Sequence, residues 1–219
     1  MSHRISLLGV VLFGITLLAA QPSAAYPGSL NLIPCADFTG AHNVRIAYET
    51  DGSRQPFSNG NQQYFYTEFG IGDRFEAGVD YCELGATTYK LYNAKCLVLG
   101  ESRRMPSLAV GTWNVGDTSK PAYYLIGCRT LGALRLHAGC QTQGSQTSVL
   151  AGTDWKIGGT LTALADYQSG AGLFHTLGLY WQATPTMAAT LYYCRGNTPE
   201  LRGELDYVGL NLQYTFSVK

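Results

Sequence analysis

The most constraining feature of this sequence is the C-terminal stretch 207–216, in which apolar and polar side chains alternate with a period of two. One face carries Val208, Leu210, Leu212, Tyr214 and Phe216, and the other carries Gly209, Asn211, Gln213 and Thr215. Such alternation is typical of a β-strand between an apolar and a polar environment. A strand of this kind that ends on an aromatic residue near the C-terminus is typical of the last strand of a bacterial outer-membrane barrel. Tyr214 and Phe216 are then the expected terminal signal for the barrel assembly machinery.

The N-terminus has the pattern of a secretory signal peptide. His3 and Arg4 form a short basic start, residues 5–20 are apolar, and small residues at 23–25 fit cleavage after Ala25. A membrane anchor is the alternative, but the apolar run is shorter than the ~20 residues of a membrane-spanning helix. We therefore expect residues 1–25 to be a cleaved signal peptide and the protein to be exported.

Composition narrows the functional classes. Lys and Arg total 15 and Asp and Glu total 15, so the chain is nearly neutral and no nucleic-acid partner is expected. Tyr (15 residues) and Gly (26 residues) are abundant, whereas charged residues make up only 14% of the chain. No stretch after the signal reaches the length of a membrane helix, so the mature chain can span a membrane only as a closed barrel.

From residue 43 onward, turn-forming residues divide the sequence into twelve segments of strand-like length and composition. These segments carry no sustained apolar stripe at helical spacing. They are 43–50, 62–69, 74–82, 88–98, 107–115, 121–129, 134–141, 148–155, 160–167, 173–182, 187–194 and 205–216. They predict an all-β chain, in which residues 43–216 form an antiparallel up-and-down transmembrane β-barrel of about twelve strands.

The connections between the segments tend to alternate in length. Short turns at 70–73, 130–133, 156–159 and 183–186 alternate with longer connections at 51–61, 116–120, 142–147 and 195–204. The connection 99–106 is long where a short turn is expected, and 168–172 is only slightly longer than the short turns. Short periplasmic turns, longer outer loops and both termini inside are the plan of an even-stranded outer-membrane barrel. Residues 26–42 are then expected to form a periplasmic lead-in.

The same alternation assigns most side chains to one face of the barrel. Small residues such as Gly78, Ala109, Gly111, Gly139, Gly152 and Gly209 fall on the inward side. The segment 123–127 is apolar on both faces, so its facing stays open. Aromatic residues recur near segment ends, as membrane girdles require, at Tyr48, Phe69, Tyr81, Trp113, Tyr123, Trp155, Tyr167, Trp181, Tyr193, Tyr214 and Phe216. The girdles favour a membrane barrel, although the alternation alone also fits a secreted soluble β-barrel.

Several short phrases, in chain order, resemble successive hairpins of YjbH-type outer-membrane barrels. They are GIGDRFEAGV at 70–79, YNAKC at 92–96, PSLAVG at 106–111 and LADYQSG at 164–170, and LNLIP at 30–34 resembles the lead-in of such proteins. The resemblance implies an outer-membrane barrel with a link to exopolysaccharide export. Its implied partners are outer-membrane lipid, the barrel assembly machinery and polysaccharide export components. The chain departs from this pattern in its strand cysteines and in the tail 217–219 that follows the terminal aromatic.

Ten charged or titratable residues are expected to line the lumen: Arg45, Glu49, Glu68, Glu76, Asp80, Lys95, Arg135, His137, Asp154 and Asp166. They have two interpretations. They can form a polar conduit, mildly favouring cations because carboxylates outnumber cations. They can also form a plug of mutually satisfied ion pairs, since buried charges are tolerated when they are paired or hydrated.

No enzyme, metal or cofactor site is predicted. A lipid hydrolase of the outer membrane would need a Ser–His pair with a third polar group. His137, His175, Ser107 and Ser148 supply the residue types, but no serine lies in a GxSxG motif. The six cysteines, at positions 35, 82, 96, 128, 140 and 194, form no CxxC pair. They are interpreted as scattered small residues, as disulfides between loops or strands, or as redox groups.

Two functional hypotheses follow, and neither names a solute. One is a narrow channel or a component of solute or exopolysaccharide export in the outer membrane. The other is a non-conducting structural or surface-interaction barrel, with a secreted soluble binding barrel as a further alternative. They differ in whether the lumen is open.

Overall fold

The computed structural model describes residues 29–53, 62–84, 87–116, 120–200 and 206–218. They form a closed barrel of twelve antiparallel strands, as the sequence predicts. The strands are β1 (Asn43–Ser53), β2 (Gln62–Ile71), β3 (Phe75–Leu84), β4 (Thr87–Leu99), β5 (Ser107–Gly116), β6 (Ala122–Leu131), β7 (Leu134–Gln143), β8 (Gln146–Lys156), β9 (Leu161–Gln168), β10 (Phe174–Gln182), β11 (Met187–Gly196) and β12 (Tyr207–Ser217). The expected signal peptide, residues 1–25, lies outside the described residues. Within the described residues, no helix is long and apolar enough to cross a membrane.

Each strand pairs with its neighbours in sequence, and β1 pairs with β12 to close the barrel. At this seam Val44 lies opposite Phe216 and Tyr48 lies opposite Leu212. Closure leaves no strand edge without backbone partners, which is the condition for a sheet to exist in lipid. The alternating stretch at the C-terminus therefore completes the barrel.

The connections at the two ends of the barrel are less regular than the sequence predicts. We call the end where β1 starts and β12 stops the terminal end, and the opposite end the loop end. The predicted long connection at 142–147 is wrong, because β7 and β8 extend to a two-residue turn at Gly144 and Ser145. Gly144 has a φ of +61°, which such hairpin turns require and glycine adopts without strain. The predicted loops 51–61, 116–120 and 195–204 lie partly outside the described residues.

The outer face of the barrel is apolar and carries aromatic residues toward both ends. Phe69, Trp155, Trp181, Tyr214 and Phe216 are exposed toward the terminal end, and the Tyr214 and Phe216 rings stack with centroids 5.7 Å apart. Tyr81, Tyr123, Tyr167 and Tyr193 are exposed toward the loop end. The predicted girdle residue Trp113 is an exception, because it packs against the inward-facing ring of Tyr124.

The facing of β6, which its sequence leaves open, follows from packing inside the barrel. Tyr123 and Leu125 are exposed on the outer face, whereas Tyr124 and Ile126 are buried inside. Gly111, paired with Tyr124 across the β5–β6 ladder, leaves room for the tyrosine ring because it has no side chain of its own. The inner face of β6 is therefore apolar, unlike the inner faces of β1 to β4.

The expectation that 26–42 is a periplasmic lead-in is wrong for most of its described part, because residues 29–39 lie inside the barrel. We call these residues the plug. Leu30, Ile33, Cys35 and Ala36 are buried and form one cluster with apolar residues on the inner faces of the strands, including Ile126, Leu150 and Leu164. In this half of the lumen the apolar plug side chains are buried, whereas in a solvated lead-in they would be exposed to water. Burial of apolar surface therefore favours the position inside the barrel. Residues 26–28 lie outside the described residues.

The fold predicts that the cost of an outward-facing charge depends on its depth along the barrel. Leu177 lies mid-strand in β10 and is 64% exposed, whereas Ile157 lies in a turn at the terminal end and is 47% exposed. We expect Leu177→Arg to lower the free energy of unfolding in lipid vesicles by about 2–4 kcal/mol and Ile157→Arg by about 0–1 kcal/mol. The measurement is urea titration of the folded protein, followed on gels by the band of the unheated sample, which should migrate differently from that of boiled protein. Equal losses would contradict an apolar membrane layer around the barrel.

Candidate functional site

The first plug contact is a turn whose backbone N–H groups converge on one carboxylate. Leu30 N donates to Ile33 O at 2.9 Å and closes the turn. The amides of Asn31, Leu32 and Ile33 donate to Asp166 Oδ2 at 3.0, 2.9 and 3.3 Å. Successive N–H groups of this kind form an anion-binding nest. Asp166, on β9, therefore acts as the anion that the turn binds.

A second residue of the wall completes this contact. The Thr176 hydroxyl donates to Asp166 Oδ1, and Asn31 Nδ2 donates to Thr176 Oγ1 at 2.8 Å. Thr176, Asp166 and Asn31 are all buried. Both Asp166 oxygens, Thr176 Oγ1 and Asn31 Nδ2 gain a partner, so the contact avoids the cost of desolvating these groups.

The other end of the plug is held by charged wall residues. Asp37 forms a salt bridge with Arg135, and its carbonyl accepts from Lys95 Nζ. Lys95 Nζ also lies 3.2 Å from Glu76 Oε1. These wall charges come from β3, β4 and β7, so the plug is fastened to several strands at once.

Two further contacts surround the same end. Thr39 N and Thr39 Oγ1 both donate to Glu76 Oε2 at 2.7 Å, and Lys95 Nζ lies 4.8 Å from the ring centre of Phe38. Beside them, Arg45 forms a salt bridge with Glu68. The charges at the terminal end of the lumen are thus balanced by one another and by the plug.

A thiol, an imidazole and a carboxylate form a chain beside the plug. Ala36 N donates to Cys128 Sγ at 3.2 Å, Cys128 Sγ lies 3.0 Å from His137 Nδ1, and His137 Nε2 lies 2.8 Å from Asp154 Oδ2. This order of groups is that of an activated nucleophile. Cys128 is 1% and His137 3% exposed, and neither lines the large cavity described below. In this conformation the chain of groups anchors the plug to β6.

The other residues considered for hydrolase chemistry do not come together. His175 lies near the loop end, where its Nδ1 is 3.3 Å from Asn197 Oδ1. Ser107 Oγ donates to the carbonyl of Cys128, and Ser148 is buried on β8. Among the described residues, no three His, Cys, Asp or Glu side chains are placed to hold a metal ion. No disulfide joins any two of the six cysteines, all of which lie within the described ranges.

A cavity of about 420 Å³, which we call the vestibule, lies in the lumen beside the plug. It extends from Asp51, Tyr64 and Gln143 at the loop end down to Arg45 and Lys95 near the terminal end. Asn31 and Leu32 of the plug form part of its wall. Its charged lining consists of Glu49, Asp51, Glu68, Glu76 and Asp80 against Arg45 and Lys95. Carboxylates therefore outnumber cations.

All ten residues predicted to line the lumen lie on the inner face of the barrel, and the structure divides them into two groups. The first group lines the vestibule and consists of Arg45, Glu49, Glu68, Glu76, Asp80 and Lys95. The second group lies beside the plug and consists of Arg135, His137, Asp154 and Asp166. Sequence reasoning missed Asn31, Asp37 and Thr39 of the plug and Cys128 on β6. For the plug residues, the neighbouring apolar residues Leu30, Leu32 and Ile33 are the one available signal.

We expect Asp166→Ala to release the plug, because three buried N–H groups lose their acceptor at roughly 1–3 kcal/mol each. Alkylation of a buried thiol proceeds through local opening, so its rate reports that free energy. Cys35 is fully buried in the plug and Cys140 is exposed, which makes Cys140 an internal reference. Mass spectrometry after maleimide treatment should show at least a tenfold faster modification of Cys35.

The matched control is Asp73→Ala, the same change in an exposed turn at the terminal end. It should leave the modification rate of Cys35 at the wild-type value. An unchanged rate in Asp166→Ala would mean that Asp166 does not hold the plug.

Comparison with known proteins finds no matching family model and no matching curated protein. The resemblance to YjbH-type barrels is therefore not confirmed. Among solved structures, the chain is similar to the KdgM porin, with a TM-score of 0.61 and 12% identity over 78% of this chain and 99% of that one. A KdgM porin in complex with disordered oligogalacturonate gives a TM-score of 0.57 and 10% identity, over 81% of this chain and 99% of that one.

The Acinetobacter baumannii outer membrane protein Omp33 is similar at a TM-score of 0.51, with 10% identity over 80% of this chain and 98% of that one. At these identities the likeness concerns the fold alone. The chain has the closed antiparallel barrel fold of outer-membrane porins.

Proposed function

We propose that this protein is an outer-membrane channel whose lumen is closed, in the conformation described, by its own N-terminal plug. The apolar outer face, the aromatic residues toward both ends and the porin fold support a place in the outer membrane. The terminal end would then face the periplasm and the loop end the outside. Cleavage after Ala25 and recognition of Tyr214 and Phe216 by the assembly machinery belong to the same proposal.

The observation that carries this proposal is how the plug is attached. It contributes no strand to the barrel, and its one β-bridge, between Ser29 and Pro34, is internal. Wall side chains such as Asp166, Glu76 and Lys95 hold it by hydrogen bonds and ion pairs. The plug can therefore leave its seat without breaking any of the twelve strand ladders. A segment held in this way is suited to opening and closing the lumen.

The vestibule supports a preference for cations or neutral solutes. Its five carboxylates face two cations, and both cations are paired, Arg45 with Glu68 and Lys95 with Glu76. A polyanion would meet repulsion on this path. Oligogalacturonate, which accompanies one of the similar porins, is such a polyanion. Export of an exopolysaccharide, which the YjbH resemblance implies, would require the plug to leave the lumen entirely.

A non-conducting barrel is the second candidate, and the apolar side of the plug favours it. Leu30, Ile33 and Cys35 are buried in the same cluster as Ile126 and Leu150. Opening would expose this cluster to water, at about 25 cal/mol for each Å² of apolar surface. In that case the exposed loops, and not the lumen, would carry the function.

Conductance in planar bilayers separates the two candidates. We expect short, infrequent openings for the wild-type protein and a severalfold higher open probability for Asp166→Ala, because the plug loses its anchoring carboxylate. Asp73→Ala should behave as the wild type does. If both the wild type and Asp166→Ala insert as folded barrels and never conduct, the protein is a non-conducting barrel.

Ion selectivity provides a separate test of the vestibule. The double variant Glu76→Gln and Asp80→Asn removes two lining carboxylates, so the cation preference in a salt gradient should fall toward that of a neutral pore. The reversal potential measures this change. An outward-facing control, Glu83→Gln on the same strand as Asp80, should leave the reversal potential unchanged. An unchanged value in the double variant would remove the vestibule from the conduction path.

A further inference from the structure

We propose that the vestibule is a binding site for a linear organic polycation, a di- or polyamine. The site is complete in the closed conformation, so the inference does not depend on conduction. Three features of the vestibule point to this class of ligand: carboxylates that face neutral partners, buried acceptor atoms that lack donors, and a tyrosine pair between the carboxylates.

The first feature is a set of carboxylates that form no salt bridge with a described cation. Glu49 accepts hydrogen bonds from Tyr192 Oη at 2.8 Å and from Asn211 Nδ2 at 2.7 Å, and Asp80 accepts from Asn93 Nδ2. Asp51 lies two residues beyond Glu49 on the same strand and is also buried. In the described part of the chain, none of the three forms a salt bridge. Buried charges of one sign are stabilised when a counter-charge is supplied.

The second feature is a group of buried oxygen atoms without a hydrogen-bond donor among the described residues. They are Asn31 Oδ1, Asp80 Oδ1, Gln141 Oε1 and Asn211 Oδ1, on residues 4–9% exposed that all line the vestibule. The amide of Asn211 is oriented by Glu49, because a carboxylate accepts and the Nδ2 group must face it. These four atoms are acceptors, and a ligand rich in N–H donors would supply their partners. Thr112 Oγ1 and the indole N–H of Trp113, on two further lining residues, also lack partners among the described residues.

The third feature is an aromatic pair that connects the carboxylates. Tyr64 and Tyr66, on β2, stack with ring centres 5.9 Å apart and planes 5° apart. Tyr64 is paired with Glu49 across the β1–β2 ladder, and Tyr66 is paired with Asp80 across the β2–β3 ladder. Aromatic faces attract organic cations, in addition to covering their methylene groups. The tyrosines therefore offer an apolar surface to the methylene groups that connect two ammonium groups of the ligand.

The spacing of the carboxylates favours an extended ligand over a metal ion. Glu49 and Asp51 are about 7 Å apart along β1, and Asp80 lies two strands away, about 10 Å across the sheet. A metal ion needs ligands that converge on one point, and no such convergence occurs among the described residues. A volume of about 420 Å³ is within the range of small-molecule sites. Amino groups separated by several methylenes can reach more than one of these carboxylates.

The test is isothermal titration calorimetry of the full, detergent-folded barrel with 1,4-diaminobutane, spermidine, 1,4-butanediol and Mg²⁺ at one fixed salt concentration. We expect the two amines to bind, spermidine more tightly, and the diol not to bind. Asp80→Asn and Glu49→Gln should each weaken amine binding roughly tenfold or more, because each removes a charge-assisted hydrogen bond. Gln141→Leu, which removes a neutral acceptor, should weaken it severalfold.

Glu83→Gln is the matched control, since Glu83 is an exposed acid on the strand that carries Asp80. It should leave the affinity for both amines unchanged, and the unheated gel band confirms folding of every variant. Tighter binding of Mg²⁺ than of spermidine, equal binding of diol and diamine, or equal losses in Asp80→Asn and Glu83→Gln would each overturn the proposal. If the barrel binds amines but never conducts, the proposed channel function is refuted and the proposed amine site is supported.

Discussion

Closure of the seam between β1 and β12 is the constraint on which the rest of this structure depends. Once the β1–β12 ladder, which includes the pair Val44 and Phe216, is in place, every strand has a backbone partner on both sides. The backbone hydrogen bonds of the strands then need no partners from the interior. The inner face can therefore carry charged side chains. Those side chains, and not backbone ladders, hold the plug, and they also leave the vestibule its acidic lining. A closed barrel whose inner segment is held by wall side chains follows from this division of roles.

The barrel could be predicted from sequence because its signals are local. Alternation with a period of two, turn residues and terminal aromatics act over a few positions, and they gave the twelve strands and the inward position of residues such as Glu76 and Asp80. The plug could not be predicted in this way. Its main anchor joins Asn31 to Asp166 across 135 positions, through a backbone donor that every residue type possesses. Trp113 was misplaced for a different reason, because it was assigned to a girdle although it shares the face of Ala109 and Gly111, and its contact with Tyr124 confirms that it faces inward.

The two ends of the lumen use the same residue types for different purposes. Toward the terminal end, Glu76 and Asp37 meet Lys95 and Arg135, so charge is balanced within the protein. Toward the loop end, Glu49 bonds to the neutral donors of Tyr192 and Asn211. Among the described lining residues, carboxylates without a salt-bridge partner therefore lie toward the loop end. A solute entering at the loop end meets an attractive region for cations before it reaches the plug.

The position of the plug in the chain has a consequence for how the molecule is built. At the seam Asn43 pairs with Ser217, which is 174 positions away in the chain. Bringing these two residues together costs a large loss of chain entropy. The plug directly precedes β1, so an open sheet has to curl around its own first residues, or those residues have to enter through the mouth of a finished cylinder. On the first route the apolar plug cluster forms the surface around which β6 to β9 bend. On this route the plug becomes the template for the interior of the barrel, and β12 is the strand that closes it.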